Sequence, residues 1–255
     1  MALSPRVIPC LLLQNGGLVK TVRFKAPKYV GDPINAIKIF NEKRVDELIL
    51  LDIGASRDRA EPPYRLIEEI ASECFMPLCY GGGVTTTSQA KRIVDLGVEK
   101  IAVNAATLAN PSLVGELAAE LGSQSVVACI DVKRSWSGRY RVHDSARGKL
   151  TDLDPLDHAE RLVALGAGEV MLNSVDRDGT QLGYDQDLIR SFTSRLGVPV
   201  IACGGAWTTD DLRRAVKDAG ASAAAAGSMF VFQGPHRAVL ISYPPYADLV
   251  RLMDS

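Results

Sequence analysis

The chain is poor in the residues that build metal centres, disulfide frameworks and membrane spans. Histidine occurs three times, at His143, His158 and His236, without ligand-like spacing, so no metal and no other cofactor is expected. The five cysteines, Cys10, Cys74, Cys79, Cys129 and Cys203, are odd in number and form no CxxC pair. Cys10, Cys129 and Cys203 lie in apolar, strand-like runs, which points to buried free thiols rather than disulfides. No apolar run reaches the roughly 18 residues of a membrane helix. The opening MALSPRVIPCLLLQ carries neither a charged leader nor a small-residue cleavage site. A formal net charge of −1 argues against nucleic-acid binding driven by phosphate neutralisation. Together these absences describe a soluble protein of a reducing cytoplasm. Of its 255 residues 47% are hydrophobic and 23% charged, ample for a large core.

Short apolar runs alternate with segments of helical period. Strands are expected at 7–13, 47–53, 77–80, 100–103, 125–132, 169–175, 199–203 and 222–226. Between them the spacing predicts helices at 33–43, 64–73, 87–96, 112–121, 155–165, 185–195 and 208–218, with a last one at 245–253. Asp32, Asn110 and Asp154 stand as N-caps before prolines, and Gly97, Gly122, Gly166, Gly197 and Gly220 follow helices as C-caps do. Continuously apolar strands alternating with helices imply a parallel sheet. Eight such units over residues 1–255 give an α/β fold, a single-domain (β/α)8 TIM barrel, with a doubly wound sheet as the alternative. An internal repeat favours the barrel: Gly82–Thr87 matches Gly204–Thr209, Lys100–Ala105 matches Ala223–Ser228, and Ala128–Asp131 lies over Pro9–Leu12. The barrel is then two half-barrels, and Leu12 is the repeat partner of Asp131.

Barrel ligands bind on the loops after the strands. Here two glycine-rich loop pairs face each other: Gly83 with Asn104, and Gly205 with Gly227 and Ser228. Glycine exposes backbone N–H groups and lets a phosphate approach, so an elongated ligand with a phosphate at each end is expected. Asp131 ends the fifth strand and is the acid/base candidate, with a structural pairing to Lys133 or Lys20 as the alternative. In Asp176-Arg177-Asp178-Gly179-Thr180, Asp178 and Gly179 are placed to bind ligand, while Asp176 is a partner for Arg177. Asp52 is a supporting carboxylate at the same mouth. At the opposite ends of the strands stand Arg6, Glu47, Lys100 and Glu169. On spacing alone these read as solvated strand ends; pointing inward, they would close the barrel floor as a neutral ring.

VIPCL, GDP (Gly31–Pro33), DELILLDI (Asp46–Ile53), YGGG, the run from Ser112 to Val127, IDVKR, the DRDGT run and VPVIACGG resemble the HisF family, the cyclase subunit of imidazole glycerol phosphate synthase. The resemblance implies a barrel whose N-terminal face docks a HisH-like glutaminase, with ammonia passing a floor gate at Arg6, Glu47, Lys100 and Glu169. It implies phosphate binding at Gly83, Asn104, Gly179, Gly205, Gly227 and Ser228, and catalysis by Asp131 with a second aspartate at position 12. Position 12 is leucine here, Ala105 stands for a phosphate-binding threonine, Cys203 for serine and Asn173 for threonine. FKAPKYVGDP (Phe24–Pro33), ECFMP (Glu73–Pro77) and HRAVLISYP (His236–Pro244) are similar to the WbuZ-like, amidation-associated branch of surface-polysaccharide (O-antigen) clusters.

That branch implies relay of ammonia from the glutaminase towards a sugar amidotransferase, with a phosphorylated or nucleotide-sugar ligand and formation of an acetamidino sugar. The alternatives are a genuine cyclase, converting PRFAR and ammonia to imidazole glycerol phosphate and AICAR, and a catalytically silent scaffold that activates the glutaminase. Ala224 is the position at which a bulky side chain is expected to plug the channel.

Overall fold

The computed structural model describes residues 5–234 and 236–254. Of the opening stretch read above for a leader, residues 1–4 lie outside that range. In chain order the elements are β1 (Arg6–Gln14), β2 (Gly17–Val22), β3 (Lys25–Gly31), α1 (Pro33–Lys43), β4 (Leu48–Asp52), α2 (Ala55–Asp58), α3 (Tyr64–Glu73), β5 (Leu78–Gly81) and α4 (Thr87–Asp95). There follow β6 (Lys100–Val103), α5 (Ala105–Ala109), α6 (Ser112–Leu121), β7 (Val126–Arg134), β8 (Tyr140–Asp144), β9 (Lys149–Leu150), α7 (Pro155–Ala164) and β10 (Glu169–Ser174). The chain ends with α8 (Gln186–Thr193), β11 (Val200–Cys203), α9 (Thr209–Lys217), β12 (Ala223–Ala226), α10 (Ser228–Val231), β13 (Phe232–Gln233), β14 (Ala238–Val239) and α11 (Tyr246–Asp254).

Strands β1, β4, β5, β6, β7, β10, β11 and β12 pair in that order, all parallel, and β12 pairs back onto β1. The sheet is closed: a (β/α)8 barrel, which leaves none of the eight barrel strands as a free edge. Strand alternation sorts the apolar residues into two cores. Val7, Leu11 and Leu13 join the layer between strands and helices, while Ile8 and Cys10 point into the barrel with Cys79, Cys129, Met171 and Ala225, and Leu12 packs against them. Ala224 belongs to the outer layer and Ala223 and Ala225 to the inner one. The expectation that Ala224 faces the channel is therefore wrong by one residue, which along a strand is a change of face.

The half-barrel repeat recurs in geometry. Helices α4 and α9 start with the same capping box, Thr86 with Gln89 and Thr208 with Asp211. Strands β1 and β7 both run on into antiparallel excursions, β2–β3 and β8–β9. Asp32 and Asp154 cap their helices as expected, but α6 is capped by Pro111, and Asn110 instead accepts from Ser112 Oγ at 2.7 Å. Gly97, Gly122, Gly166 and Gly220 have positive φ, and Gly197 does not; the chain turns there without left-handed backbone. All five cysteines are free thiols.

Candidate functional site

The barrel floor carries the four charges as one network. Lys100 Nζ lies 3.0 Å from Glu47 Oε1 and 2.9 Å from Glu169 Oε2, and the Arg6 guanidinium bridges the same two carboxylates. Both glutamates are buried. Burial pushes the Lys100 ammonium down, but Glu169 and Glu47 outweigh it and hold its pKa above the ordinary lysine range. Alternating cations and anions at the ends of β1, β4, β6 and β10 thus close the floor without net charge. The inward reading of these residues is the one the structure has; solvated strand ends it does not have.

At the opposite end a cavity of about 240 Å3 opens between the loops. Leu12, Asp131, Gly83, Asn104, Asp178, Gly179, Gly205, Gly227 and Ser228 all line it, so every mouth residue singled out from sequence converges there. Asp131, buried in the lining of the cavity, accepts from Asn104 Nδ2 at 2.7 Å and Asn173 Nδ2 at 3.2 Å. Neither Lys133 nor Lys20 pairs with it: Lys20 Nζ donates to the Cys10 carbonyl at 2.6 Å. Burial pushes the Asp131 carboxyl up, hydrogen bonds from Asn104, Ser145 and Asn173 pull it partly back, and it titrates at about 6. That value suits a proton acceptor or donor near neutrality. Across the mouth Leu12 offers a hydrocarbon wall, packed beside Leu51 and Cys203. Asn173 Oδ1 is buried without a hydrogen-bond partner among the described residues.

The two glycine cradles differ. On the first side the Gly83 amide donates to Ser56 Oγ at 3.4 Å, so a hydroxyl stands at the cradle although Ala105 lacks one. On the second side a Cβ on Gly227 would lie 2.2 Å from Lys20 Nζ. Glycine is therefore what lets a buried ammonium reach this cradle. Burial pushes that ammonium down, and Cys10 and Asp178 partly restore it. Lys20, read from sequence only as an alternative partner of Asp131, belongs to this cradle instead. Its signal was weak, since it lies in the β2–β3 excursion, which the alternation of strands and helices passed over as a turn.

The DRDGT run connects this side to that excursion. Asp178 Oδ2 accepts from Thr21 Oγ1 at 3.0 Å, and the Asp178 carbonyl accepts from the Arg23 amide at 2.9 Å. Asp176 does not pair with Arg177; its carboxylate accepts from the Arg134 amide at 2.8 Å, while Arg177 donates to the Leu182 carbonyl. Asp52 Oδ1 takes the Gly54 and Ala55 amides at 3.0 and 3.1 Å, anchoring α2 beside the first cradle.

The sequence profile of the family described as "Histidine biosynthesis protein" matches residues 6–236. The chain belongs to that family. It is 56% identical, over 94% of its length and 95% of the relative's, to the "Putative imidazole glycerol phosphate synthase subunit hisF2" of Pseudomonas aeruginosa PAO1. It is 50% identical, over 99% and 97%, to the "Putative imidazole glycerol phosphate synthase subunit hisF3" of Vibrio vulnificus YJ016. To the "Imidazole glycerol phosphate synthase subunit HisF" of Alkaliphilus metalliredigens it is 38% identical, over 89% and 90%. This is a HisF-like synthase subunit in which one end of the barrel carries a charge ring and the other sets leucine opposite Asp131. Among its described residues no helix is long and apolar enough to cross a membrane, and no group of three metal-ligating side chains forms.

Proposed function

We propose that this HisF-like chain is the ammonia-conducting barrel of a glutamine-dependent sugar-amidation system. A HisH-like glutaminase docks on the N-terminal face, ammonia passes the ring of Arg6, Glu47, Lys100 and Glu169, and the mouth delivers it for conversion of an acetamido to an acetamidino group on a surface-polysaccharide sugar. One observation carries the reading: a complete charged floor beneath a mouth in which Leu12 faces Asp131. Leucine has no proton to exchange, so a two-carboxylate acid/base scheme is not available, and losing one such group typically costs about 10²–10⁴-fold in rate. The interior between floor and mouth is apolar, built from cysteines and alanines together with Ile8, Ile49, Ile201, Val127 and Met171, which suits a small neutral molecule better than an ion. The numbered names hisF2 and hisF3 of two relatives fit a second copy beside a separate cyclase.

The test is to purify the chain with its glutaminase and assay the cyclase reaction. Glutamine hydrolysis with cyclisation at least about 10²-fold below that of a cyclase bearing both aspartates is expected. Turnover comparable to such a cyclase, or restoration of histidine prototrophy in a cyclase-null bacterium, overturns the proposal in favour of the second reading. That reading has one observation on its side: Asp131 titrates at about 6, where a single carboxyl serves both as acid and as base.

A further inference from the structure

We propose that Cys10 is a modification site for hydrogen peroxide, a thiol at the junction of barrel interior and mouth that is oxidised to a sulfenic acid. Cys10 belongs to the inner layer of β1 with Ile8 and Leu12, and it also lines the mouth cavity. A peroxide molecule therefore has a path to a thiol that is otherwise buried. Two groups set the reactivity of that thiol. Cys203 of β11 lines the same cavity and donates its S–H to the Cys10 sulfur. Lys20 brings its ammonium against the same residue, with Nζ 2.6 Å from the Cys10 carbonyl oxygen, and the missing side chain at Gly227 leaves room for it. A donor and a cation beside a thiol favour the thiolate, which is the form that attacks peroxide. Asp178 and Asp131 face it from the same mouth and oppose that effect.

The five cysteines differ accordingly. The hydrogen bond from Cys203 and the charge of Lys20 outweigh burial and the two carboxylates, and hold the Cys10 thiol below the ordinary cysteine range. Cys203, as the donor, is pushed the other way. Burial pushes Cys79 and Cys129 far up and lifts Cys74 to about 11. Cys203 is not a disulfide partner for its neighbour. It pairs in register with Ala225, and Ala225 pairs with Ile8, so β1 and β11 stand two strand spacings apart, roughly 9 Å. A disulfide spans at most about 7 Å between Cα atoms. The reaction therefore stops at one thiol. The Cys10 thiolate attacks a peroxide oxygen, the S–O bond forms as the O–O bond breaks, and sulfur gives up two electrons. The departing hydroxide takes up a proton and leaves as water. Two equivalents of a small thiol reverse the change, yielding water, the disulfide of the reductant and the original thiol. The added oxygen puts a polar group where the apolar interior opens into the mouth. The site stands on the surroundings of Cys10, while any effect on ammonia passage rests on the proposed function.

Dilute hydrogen peroxide with dimedone, which traps sulfenic acids, followed by peptide mass spectrometry of the full-length chain, tests the site. Cys10 is expected to take the label roughly tenfold or more faster than each of the other four cysteines. Cys203→Ala, checked for folding by thermal unfolding, is expected to slow labelling of Cys10 by about three- to tenfold. Cys203→Ser, which restores a donor, is expected to recover most of the rate. Earlier labelling of Cys74 or Cys203, an unchanged Cys10 rate in Cys203→Ala, or labelling of Cys10 only in urea would each overturn the proposal. For the consequence, the chain is oxidised alone, freed of peroxide and then mixed with its glutaminase, whose own thiols are thereby spared. Formation of the amidated product from glutamine is expected to fall severalfold and to return with dithiothreitol, and in Cys10→Ser not to respond to peroxide. An untreated complex that makes no amidated product, or a labelled one that makes as much as before, counts against ammonia relay through this barrel and leaves the thiol site standing.

Discussion

At the scale of the residue, the pair on which the proposed function turns is Leu12 and Asp131. Both point into the mouth from strands that the half-barrel repeat superimposes, and only one ionises. Asp131 is buried, and its pKa of about 6 lies above the 3.8 of an ordinary aspartate. The folded state therefore holds this proton more tightly than the unfolded chain, so its contribution is most favourable below about pH 4. It falls away as pH rises to 6, at up to about 1.4 kcal/mol per unit. Asp131→Asn removes the titration. Urea unfolding across pH 4 to 7.5 is expected to show the variant gaining on the native chain by about 1–3 kcal/mol through that window and by nothing further above it. The two Asn partners each donate to the carboxylate, and an amide offers one acceptor, so the absolute gain is reduced while the slope difference remains. Identical slopes for the two proteins would contradict a raised Asp131. At the floor the arithmetic is reversed: Glu47→Gln leaves Arg6 and Lys100 with a single carboxylate between them. It is expected to destabilise by about 3–5 kcal/mol, the usual result of breaking a buried ion network from one side, read as a lower denaturation midpoint.

At the scale of the element, the second cradle depends on how two segments touch. A Cβ on Gly179 would lie 2.1 Å from the Thr21 carbonyl, and φ there is +66°. Gly179→Ala must therefore both strain its own backbone and push β2 away from the DRDGT turn. A loss of about 1–3 kcal/mol is expected, which in a chain of this size lowers the melting temperature by a few degrees. Faster tryptic cleavage at Arg23 and Lys25 should accompany it, because the contact that seats the hairpin is gone. Unchanged proteolysis with a lowered melting point would mean that the strain stays local. This hairpin also marks the limit of what the sequence reveals. The eight barrel strands were legible because each is a continuous apolar run, and their helices because caps and glycines bracket them. Strands β3 and β9 carry exposed polar faces, so no hydrophobic period announced them. The short helices α2, α5 and α10 span four or five residues, too few for any period. The mouth glycines were found because the repeat doubled them. Lys20 was placed beside the wrong group because its burial is created by a hairpin that had not been read.

At the scale of the molecule, a charged floor and an open mouth have a joint function only if the interior connects them. The inner core is built from cysteines, alanines, isoleucines, Val127 and Met171, and the alanines of β12 leave the least side-chain bulk. Because strand faces alternate, Ala225 and Ala224 make a controlled pair. Ala225→Leu adds three carbons inside the barrel, between Ile8 and Cys203 in register, at an overpacking cost of about 1–3 kcal/mol. In the complex with the glutaminase, it is expected to leave glutamine hydrolysis intact, release ammonia to solvent and reduce formation of the amidated product. Added ammonium salt, which reaches the mouth from outside, is expected to restore that product. Ala224→Trp, directed against the helices, should destabilise the fold without uncoupling the two activities. If Ala225→Leu leaves product formation untouched while glutaminase activity persists, ammonia does not travel through the barrel and the subunit acts on its partner as a scaffold.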